Sequence, residues 1–378
     1  MNMADLTKIF TPKSVAIIGA STREKSVGLG LVENILSGKE QRRIFFVNTK
    51  QQEIFGQKSF ASIKDIPDEI DLAIVAVPAS AVLQVVTECC DKRVGGIIVI
   101  SAGFAETGEN GKALQDKILE TVRQAGIPMI GPNCLGVINT KNDLNASFAP
   151  STPPKGNIAF VSQSGALLDV IIDGSENSGV SYAISYGNAA DIGLEDLLEY
   201  LANDQETKVI ALYLEAVENG KRFLEVASRI CKTKPIVAIK AGKFDVGTKA
   251  IRSHTGSMAG DYRIYNAVFR QTGIIETDSL EELINVSKLL ASYPLCDNSF
   301  AIVTNGGGCG VLASDYCKEY EIDLAKLSNE TVSKISDSTE MNSAWSKSNP
   351  IDIVGDAGPL RYKVAIEAAL TQENIAGL

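Results

Sequence analysis

The residue best suited to covalent chemistry is the one histidine of the chain, His254, within Arg252-Ser-His-Thr-Gly-Ser-Met-Ala-Gly260. An imidazole can serve as acid, base, metal ligand or covalent phosphate carrier. A metal site needs convergent ligands, and with no second histidine and no CxxC pair among seven cysteines none is expected. Small, hydroxylated and glycine residues around His254 are poor core material and suit an exposed loop that a phosphate can approach closely. Two other segments would neutralise such a phosphate. Ser162-Gln163-Ser164-Gly165 and Asn305-Gly306-Gly307-Gly308, the latter within Thr304–Gly310, each fall between a strand run and a helix run. That placement turns backbone N–H groups and the positive helix end toward an anion. Two such ends facing one space would hold a dianionic phosphate. Glu215 closes the apolar run Ile210-Ala-Leu-Tyr-Leu. A carboxylate at that strand tip can keep one imidazole nitrogen protonated, so that the other attacks phosphorus.

Positioning these groups requires strands whose tips converge. Short apolar runs alternate with helix-length amphipathic stretches along the chain, the pattern of a parallel sheet covered on both faces. A first block has strand runs at Ser14–Gly19, Ile44–Val47, Asp71–Val77, Gly96–Ile100 and Pro128–Ile130, and ends near Pro150, Pro153 and Pro154. The second has runs at Asn157–Val161, Val180–Ser185, Lys208–Leu214, Pro235–Lys240 and Gly273–Glu276. The third holds a run at Ser299–Thr304, a helix from about Val311 to Tyr320 and a second run at Asn349–Val354. The expected organisation is therefore α/β throughout: a doubly wound nucleotide-binding domain over 1–150, a second doubly wound domain over 151–293, and an incomplete one over 294–378. One and a half βα units cannot close a sheet, so the third block is expected to continue into a further segment.

With 378 residues, 45% hydrophobic and 22% charged, the composition is that of a soluble globular protein. A net charge of −10 argues against a nucleic-acid footprint. No run is long enough to span a membrane, no signal peptide opens the chain, and scattered cysteines fit reduced thiols, so a cytoplasmic protein is expected.

The first βα turn, Gly19-Ala20-Ser21 and onward to Gly28 and Gly30, is placed to receive a phosphorylated ligand. It lacks the GxGxxG spacing of a dinucleotide site. The second strand ends in Val47-Asn-Thr-Lys50, with lysine where a free ribose would require Asp or Glu. Lys50 suits a phosphorylated ribose, which disfavours NAD and favours CoA. Gly131-Pro132-Asn133-Cys134 follows the fifth strand at the ligand-binding edge, so Asn133 and Cys134 are expected to line the ligand near its thiol end. Nothing activates Cys134 as a nucleophile.

Taken together, these segments resemble the ADP-forming acyl-CoA synthetases, relatives of succinyl-CoA synthetase. The matching motifs are GAS at Gly19–Ser21, VNTK at Val47–Lys50, SAGFAE at Ser101–Glu106, GPNCLG at Gly131–Gly136, SQSGAL at Ser162–Leu167, YGNAAD at Tyr186–Asp191, YLE at Tyr213–Glu215, SHTGSMAG at Ser253–Gly260 and TNGGGCGVLASD at Thr304–Asp315. They run in the family's order across nearly the whole chain. The resemblance implies a Rossmann-like CoA-binding domain followed by flavodoxin-like domains, with His254 as the phosphorylated histidine and Glu215 as its supporting acid. It also implies that the two glycine-rich helix starts bind phosphate as a pair. The implied reaction is reversible: acyl-CoA, ADP and phosphate give acid, CoA and ATP through an acyl phosphate and a phosphohistidine. ADP and its Mg²⁺ would sit on an ATP-grasp domain that these residues lack, supplied in cis or in trans, in an oligomeric enzyme. Alanine at Ala216 replaces the family's usual glycine and leaves Glu215 intact. A second reading, a CoA-binding regulatory module like those of protein acetyltransferases of similar architecture, is disfavoured because such modules tend to lose the histidine kept here.

Overall fold

The computed structural model describes residues 5–175, 178–244, 247, 261–293 and 299–378. It divides into a unit of Met1–Tyr293 and a unit of Pro294–Leu378. His254 and its loop lie outside the described residues.

In the first unit, β-branched runs form strands buried on both faces, as at β1 (Ser14–Ile18). β1 pairs in parallel with β2 (Arg43–Val47) on one side. Beyond β2 lie β4 (Gln57–Phe60), and β3 (Glu53–Ile54) antiparallel to β4. On the other side of β1 follow β5 (Leu72–Val75), β6 (Gly96–Val99) and β7 (Met129–Ile130), completing a seven-stranded Rossmann-like sheet. Strand order therefore reverses at β1, and a crevice opens at its carboxyl end.

The second sheet is also seven-stranded. Its parallel strands are β10 (Lys155–Ser162), β11 (Val180–Ser185), β12 (Val209–Leu214), β13 (Ile236–Lys240) and β14 (Ile275–Glu276). Here the order reverses at β10, flanked by β11 and β12, so Ser162–Gly165 and Glu215 leave neighbouring strand tips. An antiparallel hairpin of β8 (Gly136–Asn139) and β9 (Leu144–Ser147) joins this sheet along β11. The chain thus passes from one sheet to the other between Ile130 and Gly136, ahead of the proline-rich stretch that follows Ala149. One apolar cluster runs through both sheets, from Val15, Ile17 and Ile74 to Val161, Ile184 and Leu212.

The second unit is smaller. β15 (Ser299–Phe300) pairs with β17 (Asp323–Leu324), and β16 (Val303–Thr304) with β18 (Ile351–Asp352). The run expected as one strand over Ser299–Thr304 is split because the Ile302 N–H donates to Asn349 Oδ1 and not to a neighbouring strand. Ile335, Trp345, Ile351 and Ala369 fill its core. Among the described residues no helix is long and apolar enough to cross a membrane.

Candidate active site

At the first strand tip, Gly19 has φ of 95°, and a Cβ there would stand 2.2 Å from the Ala76 carbonyl oxygen. A Cβ on Gly28 would stand 2.2 Å from the Gly19 carbonyl oxygen. Both glycines allow the helix Val27–Ser37 to start directly against the β1 and β5 tips. Ser26 caps that helix, its hydroxyl accepting from the Leu29 N–H. The neighbouring turn is tied to this one: the Asn48 amide donates to the Ala20 carbonyl at 2.7 Å, and Asn48 Oδ1 accepts from the Lys50 N–H. The structure therefore brings Gly19, Ala20, Ser21 and the Asn48–Lys50 turn together. The Lys50 side chain is exposed and does not line the cavity described next.

Between the carboxyl ends of the two sheets lies a cavity of about 550 Å³. The first sheet contributes Ala76, Val77, Ile100 and Ser101; the connection contributes Asn133, Cys134 and Leu135; the second sheet contributes Gln163–Ala166 and Asp169. Val27, at the start of the helix Val27–Ser37, and Gly165, at the start of the helix Gly165–Gly174, both face it. Two positive helix ends on one space favour an anionic group there.

Asn133 is held firmly. Its N–H donates to the Ser101 carbonyl, and its amide donates to Asn188, whose own amide donates to Glu106 at 2.7 Å. Burial alone would raise the Glu106 carboxyl. Hydrogen bonds from Asn188 and from the N–H groups of Gly103 and Phe104 outweigh it and hold the group below its usual value. Cys134 is buried, its thiol turned to the Val99 carbonyl, and burial pushes it up to about 12. A thiol so placed is a wall and not a nucleophile.

The Ser162–Gly165 segment divides its labour. The Ser162 hydroxyl is buried and closes on the segment itself, donating to the Ser164 carbonyl and accepting from the Ser164 N–H. Ser164 caps the helix through the Leu167 N–H. These hydroxyls serve the loop, and the segment offers an anion the N–H groups of Gly165 and Ala166, which have no acceptor within the helix. Gln163 reaches across to the next strand, where its Oε1 accepts from the N–H groups of Glu215 at 2.6 Å and Ala216 at 2.9 Å. Two donors on one atom fix the amide's orientation, leaving its NH₂ as a donor at the cavity wall.

Glu215 is only 5% exposed. The turn behind it is held further by the Val217 N–H, which donates to the Tyr265 hydroxyl. On the same strand, burial together with the Glu215 charge pushes the Tyr213 hydroxyl up to about 12. In the second unit, Gly306 caps the helix Gly307–Glu319, and its N–H donates to Thr304 Oγ1. Asn305 is pinned by Tyr362, its N–H donating to that hydroxyl and its Oδ1 accepting from it. A Cβ on Gly307 would meet Asp352 at 2.8 Å, while Gly308 faces open space. Among the described residues no group of His, Cys, Asp and Glu could hold a metal ion.

Residues 13–140 match the CoA binding domain family, and residues 155–290 match the succinyl-CoA ligase like flavodoxin domain. The chain is 42% identical over 374 residues to the acetate–CoA ligase [ADP-forming] I of Archaeoglobus fulgidus, covering 98% of this chain and 54% of that protein. It is 40% identical to the acetate–CoA ligase [ADP-forming] II subunit alpha of Pyrococcus furiosus, with 98% of this chain and 80% of that subunit aligned. The chain belongs to the ADP-forming acyl-CoA synthetase family. A solved structure of the dinucleotide forming acetyl-coenzyme A synthetase 1 of Ca. Korarchaeum cryptofilum, in complex with phosphate and ADP, superposes with a TM-score of 0.93. That protein is 34% identical, and the match covers 99% of this chain and 81% of the other. The chain spans about half the length of the first two relatives it matches, 54% and 50%, and four-fifths of the alpha subunit.

Several residues of this site were not singled out in the sequence. Asn188 and Glu106 lie inside motifs quoted for the family likeness, YGNAAD and SAGFAE, so a signal for them existed. The same holds for Leu135 in GPNCLG and Ala166 in SQSGAL, whereas Asp169 carried none.

Proposed function

We propose that this chain is the CoA-binding and phosphohistidine-bearing part of an ADP-forming acyl-CoA synthetase. The whole enzyme would convert acyl-CoA, ADP and phosphate reversibly into acid, CoA and ATP. What supports the reading most is the cavity at which the tips of a CoA-binding sheet meet the helix start at Gly165, one strand from Glu215. CoA would enter along the Gly19–Ser21 and Asn48–Lys50 turns, with its thiol end toward Asn133 and Cys134. An inorganic phosphate at the N–H groups of Gly165 and Ala166 would attack the thioester carbonyl. The C–S bond breaks, and acyl phosphate and CoA thiolate result. A neutral His254 then attacks phosphorus, the P–O bond to the acyl group breaks, and the carboxylate departs. Glu215 would accept a hydrogen bond from the other ring nitrogen and stabilise the cation that forms. Ser162–Gly165 and Asn305–Gly308 are each proposed as phosphate-binding segments. The phosphoryl group is finally taken by ADP on an ATP-grasp domain, fused or separate, where Mg²⁺ accompanies the nucleotide. The covalent relay divides one long transfer into two short ones. The proposed setting is cytoplasmic and oligomeric.

The test combines the full enzyme, including its ATP-grasp part, with acetyl-CoA, phosphate and ADP, and measures ATP and free CoA. Stoichiometric formation of both, lost in His254→Asn, is expected; ATP formation unaffected by that substitution would overturn the mechanism. CoA should also raise the melting temperature by mass action, whereas NAD should not.

A further inference from the structure

Lys240 ends strand β13, the strand from which the chain departs toward the histidine loop, yet its side chain is only 1% exposed. Its ammonium donates to the Glu215 carbonyl at 2.8 Å and to the Ala241 carbonyl, and lies 4.5 Å from the centre of the Tyr265 ring. Three N–H donors thus meet two carbonyls and one π face, which satisfies the group completely. The same tyrosine accepts from the Val217 N–H, so Gln163, Tyr265 and Lys240 together grip Glu215, Ala216 and Val217. A buried ammonium is costly, and a methionine would fill the same space without that cost. The Glu215 charge offsets part of that cost through space.

We infer that Lys240 is a positioning residue: its ammonium, donating to the Glu215 and Ala241 carbonyls, pins the tips of strands β12 and β13 and so fixes where the Glu215 side chain meets the histidine. This rests on the role proposed above for Glu215. Burial lowers the Lys240 ammonium to about 8 despite the opposing pull of Glu215, so the charge is lost at moderately alkaline pH. Among the described residues, the buried Tyr186 also lies within reach of the charges of Glu195 and Glu215. Glu215 comes from β12 and the Tyr265 ring from the helix Tyr262–Thr272. Glu276 on β14 is engaged by Tyr262, Asn266 and Lys243. The helix Leu280–Ser292 buries Leu283, Ile284 and Ser287.

The experiment measures phosphate incorporation at His254 from ATP in the full enzyme, between pH 6.5 and 9, for wild type, Lys240→Met and Lys240→Arg. Methionine keeps the packing and removes the charge; arginine keeps the charge. Lys240→Met should label about tenfold more slowly or worse at pH 7, the loss expected for one charge-assisted hydrogen bond. Its rate relative to wild type should converge as pH rises through about 8. Lys240→Arg should recover most of the rate and carry it to higher pH, and CoA should raise the melting temperature of all three equally. Labelling of Lys240→Met at the wild-type rate, or recovery by methionine and not by arginine, would overturn the inference. Should neither variant fold, the wild type decides: a rate flat from pH 7.5 to 9 would overturn it as well. Failure of the wild type to label His254 at all would instead strike the proposed function.

Discussion

Gln163 offers the sharpest separation of scaffold from chemistry. Its Oε1 is the acceptor for two N–H groups at the tip of β12, at 2.6 and 2.9 Å, on residues that are both buried. Gln163→Met keeps the length and removes the acceptor. Each buried N–H left unsatisfied costs about 1–3 kcal/mol, and water entering from the cavity lowers that toward the small end, so about 2–4 kcal/mol is expected for the pair. For a unit of this size roughly 2–4 °C accompanies each kcal/mol, giving a fall of about 4–16 °C in melting temperature. Gln163→Glu differs in kind. A carboxylate accepts from the same two N–H groups, so stability should hold within about 1 kcal/mol. It also sets a negative charge where phosphate is proposed to enter. At ~4 Å and an effective dielectric of ~20, one such repulsion is about 4 kcal/mol, or two to three orders of magnitude in rate. Calorimetry and rapid-quench labelling from acyl-CoA, phosphate and ADP read the two effects separately. If Gln163→Glu turns over like wild type, or if Gln163→Met melts unchanged, the reasoning about this side chain fails.

Further outcomes follow from the same geometry. Gly19→Ala should lower stability by about 1–3 kcal/mol for its backbone conformation alone. It should also abolish the CoA-induced rise in melting temperature, because the Ala76 carbonyl at 2.2 Å cannot yield. Iodoacetamide at pH 8 should modify the exposed Cys309 well before Cys134, whose thiol burial pushes up to about 12; peptide mapping checks the order. The depressed Glu106 carboxyl stabilises the fold above its ordinary value near 4.5, and this contribution disappears as pH falls through the folded-state value. Wild type should therefore exceed Glu106→Gln in stability at pH 7 and converge with it in acid, as followed by urea denaturation.

The sequence reveals the parallel strands because burial on both faces forces continuous β-branched runs, as in Val15–Ile18 and Leu72–Val75. Helix starts are equally visible, since Ser26, Ser164 and Ser328 each cap through a side-chain oxygen. The hairpin Gly136–Ser147 is not. Its strands are short, and nothing local states that they pair with β11 and not with β7. Site residues divide in the same way. Cys134 and Asn133 follow from their place at a strand tip. Gln163 reads as a loop donor, yet its oxygen serves Glu215 across a gap of 52 positions in sequence. Lys240 enters the sequence reading only as the last residue of a strand run, and the Tyr265 ring and two carbonyls reveal it as buried.

The most direct test is to expose the full enzyme to ATP, digest it at alkaline pH and locate the phosphate by mass spectrometry. An acid-labile phosphoryl group on His254 alone, discharged by ADP and by acid with CoA, is the expected result. Phosphate on a serine or threonine, or labelling that persists in His254→Asn, would contradict it.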